Sequence, residues 1–444
     1  MDAVWVLLAV LALLAVLAAC EVPIGIALGV SGTVGLLILK SPPVVESTLG
    51  STPYSATASY ALMIVPMFIL MGHFAMRAGI AADLFNLTHR YLGRVPGGLG
   101  VAAVLACGGF AAVTGSSVAT AVTVGKVALG EMEKRGYRLH YAAGLIAAGG
   151  TLGVLIPPSI LLVIYGTLTG ESIGALMLAG FLPGLLSIAV FAGGTILLAV
   201  TGRLTVKSAA RRVMAPRSTG RQLRRELASV GYVLTLIFTV VAGLYSGIFT
   251  ATESGAIMAM LALLFLAIRS GRRARELVSG IATSLKETAT TTSMIFILIM
   301  GGAIFAIFLV TSRVSNDVVD FAAALDVPPA LLVLLFLLLL IPLGMVLDSI
   351  SIMLITIPLM YPVLDEVGVN GIWFGILAVK LMEIGMLTPP LGINVFVVAG
   401  VHPKLTIEGV FRGVVPFIVM DVVTVALLFA FPEIATWLPD AARG

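Results

Sequence analysis

Charge is scarce in this sequence. Only 11% of its 444 residues are Asp, Glu, Lys or Arg, 59% are hydrophobic, and the mean hydropathy is +1.14. A water-soluble domain of that make-up would lack the polar surface to cover itself, which excludes soluble enzymes and soluble binding modules. Cysteine is nearly absent. Cys20 and Cys107 fall in or beside apolar segments and no C-x-x-C exists, so neither a disulfide framework nor a dithiol centre is available. The histidines, His73, His89, His140 and His402, are scattered without metal-ligand spacing. No G-x-x-x-x-G-K-[ST] occurs, so the chain does not hydrolyse ATP by itself. The longest polar stretch, 202–228, is too short for a folded catalytic domain, and no cofactor is implied.

What is present is a succession of apolar segments of about 20 residues, the length that crosses a bilayer core. The sequence predicts an all-α polytopic membrane protein. Spans fall near 3–20, 22–39, 58–78, 173–201, 229–249, 254–268, 287–311 and 410–431. Segments 98–133, 141–167, 330–363 and 372–401 are each interrupted. The start resembles a leader, but "MDAVW" carries no Lys or Arg, so 3–20 reads as a retained span.

Basic residues collect in cytoplasmic loops. If 98–133 and 330–363 are hairpins that enter and leave on one side, loops 77–97, 126–139, 202–228, 269–286 and 402–412 share a face. That face then holds every Lys and Arg of the 26 except Lys40, Arg313, Lys380 and Arg443. The opposite face holds acids such as Asp317, Asp320, Asp326, Asp365 and Glu366. The charge pattern thus predicts two re-entrant hairpins and both termini outside. The basic balance, pI near 9.1, reports topology and contact with anionic membrane lipid, not nucleic acid.

The sequence also repeats weakly at an offset of 232. Pro96 aligns with Pro328, Ser117 with Ser349, Gly153 with Gly385, Leu155 with Leu387, and Pro157-Pro158 with Pro389-Pro390. Two repeats are expected, 1–201 and 229–444, joined by the basic linker 202–228. The first comprises scaffold spans 1–78, hairpin 98–133, broken span 141–167 and span 173–201. The second comprises scaffold spans 229–268, span 287–311, hairpin 330–363, broken span 372–401 and span 410–431. The hairpins start from opposite faces, so the repeats are inverted, the pattern of secondary transporters with a midplane site.

Proline lacks an N–H and displaces the carbonyl four residues back. Pro157 and Pro158 are therefore expected to release the carbonyls of Gly153 and Val154, and Pro389 and Pro390 those of Gly385 and Met386. Ile156 and Thr388, each before a proline, should not be helical. Bare carbonyls facing lipid cost several kcal/mol, so such breaks belong in protein or beside a polar cavity. They are hard oxygen ligands suited to an alkali cation. The tips "TGSSVAT" (114–120) and "LDSIS" (347–351) begin half-helices whose positive ends favour an anion. A cation and a carboxylate could share such a site.

Among the acids inside spans, Asp348 at the second tip reads as an ion or proton ligand or as a helix cap. Glu383 and Lys380, three residues apart, read as a mutually neutralising pair. Asp421 and Glu253 read as capping or packing groups, and His73 as structural. An intramembrane aspartyl protease using Asp348 and Asp421 fails because "GMVLD" is not Gly-x-Gly-Asp, and a scaffold protein would not need paired breaks.

The stretches "VPMFILMG" (65–72), "TGSSVATA" (114–121), "GVLIPPSILLVIYG" (153–166), "GIFTATES" (247–254) and "EIGMLTPPLGINVFVVAG" (383–400) resemble the large membrane subunit of tripartite ATP-independent periplasmic (TRAP) transporters. The family usually has proline where Ala251 stands. The resemblance, over nearly the whole chain, implies an elevator-type, sodium-coupled importer of organic acids such as C4-dicarboxylates or sialic acid in the bacterial inner membrane. It implies two separate partners, a small four-helix membrane subunit and a periplasmic substrate-binding protein. By position it implies one sodium site at Ser116, Ser117 and the first break (Gly153, Ile156), and a second at Asp348, Ser349 and the second break (Gly385, Thr388). Candidate substrate contacts are Thr114, Ser117, Pro157, Pro158, Ser349, Pro389, Pro390 and Asn394. A stand-alone sodium/dicarboxylate or citrate symporter of the same architecture is the alternative.

Overall fold

The computed structural model describes residues 3–93, 95–203, 220–271, 273–312 and 328–443. Arg94, Arg272, Arg313, Asp317, Asp320, Asp326 and the centre of the linker, 204–219, lie outside the described residues. Among the described residues there are helices and no strand, and seven helices are long and apolar enough to cross a membrane.

Two helix–tip–helix units stand out. In the first, Gly98–Thr114 and Ser117–Lys134 meet at a two-residue tip. In the second, Pro329–Gly344 and Ser349–Glu366 meet at a four-residue tip. Two further helices are interrupted. Leu139–Gly150 tightens into the 3₁₀ turn Thr151–Val154, opens at the first proline pair and resumes as Ile160–Thr169. Gly371–Gly385 opens at the second pair and resumes as Ile393–Ala399. Ile156 and Thr388 are both non-helical, and both Pro-Pro peptide bonds are cis.

These pieces interlock. The second arm of the first hairpin packs on Ile393–Ala399, and the second arm of the second hairpin packs on Ile160–Thr169. Helices Ile173–Val200 and Ile407–Ala430 pack around them, and one continuous apolar core runs through the assembly. A smaller core, to which Ile355 of the second hairpin contributes, adjoins it. There Ala3–Ala19, Ile24–Leu39 and Pro42–Thr57 surround the carboxyl-terminal half of Ala274–Thr311 through Val10, Leu28, Phe305 and Phe308. Tyr60–Arg77 and Ala251–Ser270 pack together beside that long helix.

Several helices occupy stretches expected to be loops. Ile80–Leu92 lies within the expected loop 77–97. Ile80, Leu84, Phe85 and Leu87 are buried at helical spacing, and His89 is buried with them, its ring stacked on Phe85. Ala274–Thr311 includes most of the expected loop 269–286. At 1.5 Å per residue this 38-residue helix is about 57 Å long, well beyond a hydrocarbon core of about 30 Å. Its polar stretch is tied to Tyr60–Arg77, where Arg77 bonds Ser284 at 3.0 Å and Glu287 at 2.9 Å. The helix Gly220–Tyr245 likewise shortens the expected linker 202–228. Pro42–Thr57 begins with prolines in its first turn, a start signal that low hydrophobicity concealed.

Candidate functional site

Each hairpin tip is closed by its own side chains. Gly115 ends the first arm in a left-handed conformation, φ 59°, with its amide on the Ala111 carbonyl at 2.9 Å. A Cβ at Gly115 would lie 2.7 Å from the Pro158 carbonyl oxygen, so only glycine lets the tip meet the first break. Ser116 caps the second arm by accepting the Ala119 amide at 3.4 Å, and Thr114 and Thr120 join hydroxyls at 2.9 Å across the tip. At the other tip Asp348 Oδ1 accepts the amides of Ile350 and Ser351, both at 3.1 Å, and Oδ2 accepts the Ser351 hydroxyl. Asp348 is therefore a helix cap, and its carboxylate also lines the cavity described next.

The tips face one cavity of about 840 Å³. Thr114, Ser116 and Ser117 border it from the first hairpin, Asp348 and Ser349 from the second, and Glu383 from between them. The far wall is apolar apart from His73 and Thr291, and belongs to Ile24–Leu39, Tyr60–Arg77 and Ala274–Thr311. His73, read as structural, has its Nδ1 3.3 Å from Glu287 Oε2.

Glu383 carries the main correction. It does not pair with Lys380. Lys380 forms a fully buried ion pair with Asp421 and lies 5.5 Å from the centre of the Phe191 ring. Helix Ile407–Ala430 thus supplies the counter-charge expected from Glu383 at i,i+3. Glu383 Oε1 instead accepts Ser349 Oγ at 2.9 Å and lies 3.5 Å from the donor Ser117 Oγ, one hydroxyl from each hairpin. The residue is 1% exposed. The signal for it was in the sequence as an acid inside a span, and the nearby lysine drew attention away. Glu253 sits as expected in a capping box with Thr250.

The breaks lie directly behind the tips. A Cβ at Gly153 would be 3.2 Å from the Ser116 carbonyl oxygen, and one at Gly385 would be 2.6 Å from the Gly344 Cα. The Leu391 amide reaches the Met345 carbonyl at 3.3 Å, tying the second break to the second tip. The expected bare carbonyls of Gly385 and Met386 are in fact used. Gly385 accepts the Thr388 amide at 2.9 Å and Met386 accepts the Asn394 amide at 3.3 Å. The turn after the prolines folds back far enough to re-satisfy them. A carbonyl oxygen has two lone pairs, so each can still meet a cation. Thr388 turns its hydroxyl to the Ile384 carbonyl at 2.7 Å. Gly153, Ile156, Pro157, Pro158, Gly385, Thr388, Pro389, Pro390 and Asn394 do not border the cavity. Pro157 and Pro158 are buried while Pro389 and Pro390 are exposed, and Asn394 is buried away from the cavity wall.

The arrangement suits ions of both signs. Two half-helices present their amino ends to one space, which favours an anionic group. Carboxylate and hydroxyl oxygens beside them favour a hard cation. Among the described residues no His/Cys/Asp/Glu group has the form of a transition-metal centre.

Known proteins of the same build carry the argument from site to family. A family model described as the tripartite ATP-independent periplasmic transporter, DctM component, matches residues 11–434. The C4-dicarboxylate TRAP transporter large permease protein DctM of Pseudomonas aeruginosa is 34% identical over 416 residues, 93% of this chain and 93% of that protein. The sialic acid TRAP transporter large permease protein SiaM of Vibrio cholerae is 32% identical over 387 residues, 87% of this chain and 88% of that protein. The crystal structure of the Alcanivorax borkumensis YdaH transporter aligns over 89% of this chain and 90% of its own with a TM-score of 0.62 at 17% identity, a likeness of fold. With nearly its whole length matched, this chain belongs to the DctM component family of tripartite ATP-independent periplasmic transporters and is a multi-pass membrane permease.

Proposed function

We propose that the chain imports an organic acid, coupled to inward sodium flow, as the transport subunit of a tripartite system. The observation that carries this reading is the meeting of both hairpin tips, each backed by a broken helix, at one cavity that also holds a buried carboxylate. Sodium is a transported ion here. One ion is assigned to Ser116, Ser117 and the carbonyls of the first break, and another to Asp348, Ser349 and those of the second. The amino ends of the two half-helices take the solute carboxylate. A C4-dicarboxylate or sialic acid fits the class of solute named for the relatives.

The tips and broken helices form the moving unit of an inverted-repeat, elevator-type carrier, and the helices of the opposite cavity wall, Ile24–Leu39, Tyr60–Arg77 and Ala274–Thr311, belong to its frame. The cavity between the tips and that wall supports this division. The basic loops lie in the cytoplasm of a bacterium, and both termini lie on the periplasmic side of its inner membrane. Partners are a small four-helix membrane subunit and a periplasmic binding protein that delivers the solute. The family match favours this tripartite form over a stand-alone symporter.

The test is co-reconstitution of the chain and its small subunit in liposomes, with the ligand-loaded binding protein outside. Uptake is expected only with an inward sodium gradient and the binding protein present. Equal uptake under a potassium gradient would remove sodium coupling, and full uptake by the chain alone would remove the tripartite reading.

A further inference from the structure

We infer that Glu383 is a positioning residue that couples the two hairpin tips, so that events at one half of the site are felt at the other. Ser117 and Ser349 are the first helical residues of the second arms of the two hairpins. Each follows its N-cap, Ser116 or Asp348, and the two stand at the repeat offset. Both hydroxyls converge on the same oxygen, Glu383 Oε1, at 3.5 and 2.9 Å. Nothing else within the described protein satisfies this carboxylate: Oε2 is buried without a hydrogen-bond partner, and the nearest lysine is committed to Asp421.

A buried carboxylate needs its donors, and removing one throws the demand onto the rest. When an ion or a solute carboxylate claims the Ser349 hydroxyl, Glu383 therefore leans on Ser117, and the reverse. Met386 Sδ, 2.9 Å from Ser349 Oγ, gives that hydroxyl a second acceptor and a way to turn. The first repeat has no counterpart. The equivalent position is Thr151, whose hydroxyl bonds the Ala148 carbonyl of its own helix at 2.7 Å. One residue, in one half, links both.

This inference rests on the sodium-coupled reading for its ligand but not for its geometry, and the experiment separates them. The purified chain is melted in increasing NaCl at constant total salt with KCl. The native chain is expected to gain stability in sodium with a Hill coefficient below one, because an ion on one serine makes Glu383 hold the other more tightly. Ser117→Ala and Ser349→Ala should each raise the half-saturating sodium concentration about tenfold, as loss of a hydrogen bond to a charged group does. Combined, they should raise it less than the product. Glu383→Leu should bring the Hill coefficient to one and make the serine effects multiply. Glu383→Gln keeps an acceptor oxygen and should keep cooperativity. Independent serine effects in the native background, or cooperativity surviving in Glu383→Leu, would overturn the coupling. If sodium moves nothing in the native chain, sodium coupling falls. The coupling through Glu383 is then judged by the melting temperatures of the two serine variants and their double, where additive losses would overturn it and non-additive losses support it.

Discussion

Lys380 and Asp421 sit far from water, and each is tolerable there only because of the other. Removing one leaves an uncompensated charge, which typically costs about 3–5 kcal/mol, whereas replacing both with apolar groups is often neutral. Lys380→Met alone is expected to lower the melting temperature sharply and to cut the yield of folded protein, and adding Asp421→Leu should restore both, read by size exclusion and thermal melting. Asp348 allows its two roles to be separated. Asp348→Ala removes the cap on the amides of Ile350 and Ser351 and should cost about 1 kcal/mol. Asp348→Asn keeps the accepting oxygen, so stability should hold while the sodium dependence of uptake weakens; unchanged sodium dependence would leave Asp348 as a cap alone. At this scale the sequence was a partial guide. Ser117, Ser349 and Asp348 could be picked out because small polar residues interrupt apolar runs there. The partner of Glu383 could not, because i,i+3 spacing is visible in a sequence and contacts across 266 residues, as from Ser117, are not.

The broken helices follow from local chemistry, and so they were legible. A proline pair cannot donate and pushes the residue before it out of the helical region, so it ends any helix that reaches it from the amino side. The hairpin limits were legible for a related reason, since glycine, serine and aspartate are tip and cap residues. Ile80–Leu92 was harder to see because charge counts as loop in a topology reading, although its apolar face has helical period. Restoring helix-forming residues with Pro389→Ala and Pro390→Ala is expected to let Gly371–Gly385 run on toward Ile393–Ala399. Uptake should be abolished with little change in expression, and normal uptake would show that the break is dispensable. The close approach behind the second tip gives an independent probe. A Cβ at Gly385 would stand 2.6 Å from the Gly344 Cα, backbone that cannot swing aside. Gly385→Ala should therefore push the second tip from its seat and lower the melting temperature by several degrees, consistent with an overpacking cost of about 1–3 kcal/mol.

For the whole molecule, the charge pattern carried the topology argument because the membrane sorts loops by basic residues. The division into a frame and a moving unit was not readable from charge or hydropathy, since apolar faces look alike whether they meet lipid or protein. The proposed division rests on the cavity, with the tips on one wall and Ile24–Leu39, Tyr60–Arg77 and Ala274–Thr311 on the other. That division can be tested at the contact between Tyr60–Arg77 and the first tip. A Cβ placed on Gly72 would lie 3.7 Å from the Thr114 Cβ, inside the range of about 3.5–4.5 Å that a disulfide requires. With Cys20 and Cys107 replaced, Gly72→Cys together with Thr114→Cys should cross-link on mild oxidation. Uptake should stop in the oxidised protein and return on reduction. Transport that continues through a complete cross-link would mean that the tip does not leave the frame.

The two proline pairs are not equally sheathed, for Pro157 and Pro158 are enclosed while Pro389 and Pro390 meet the outside. Under the inverted-repeat reading, that lopsidedness is a record of posture. Let the halves trade environments, and the enclosed pair becomes the uncovered one. A single chain then owns two resting shapes that are mirror roles of each other, and the step between them needs no new bond, only an exchange of which half is wrapped.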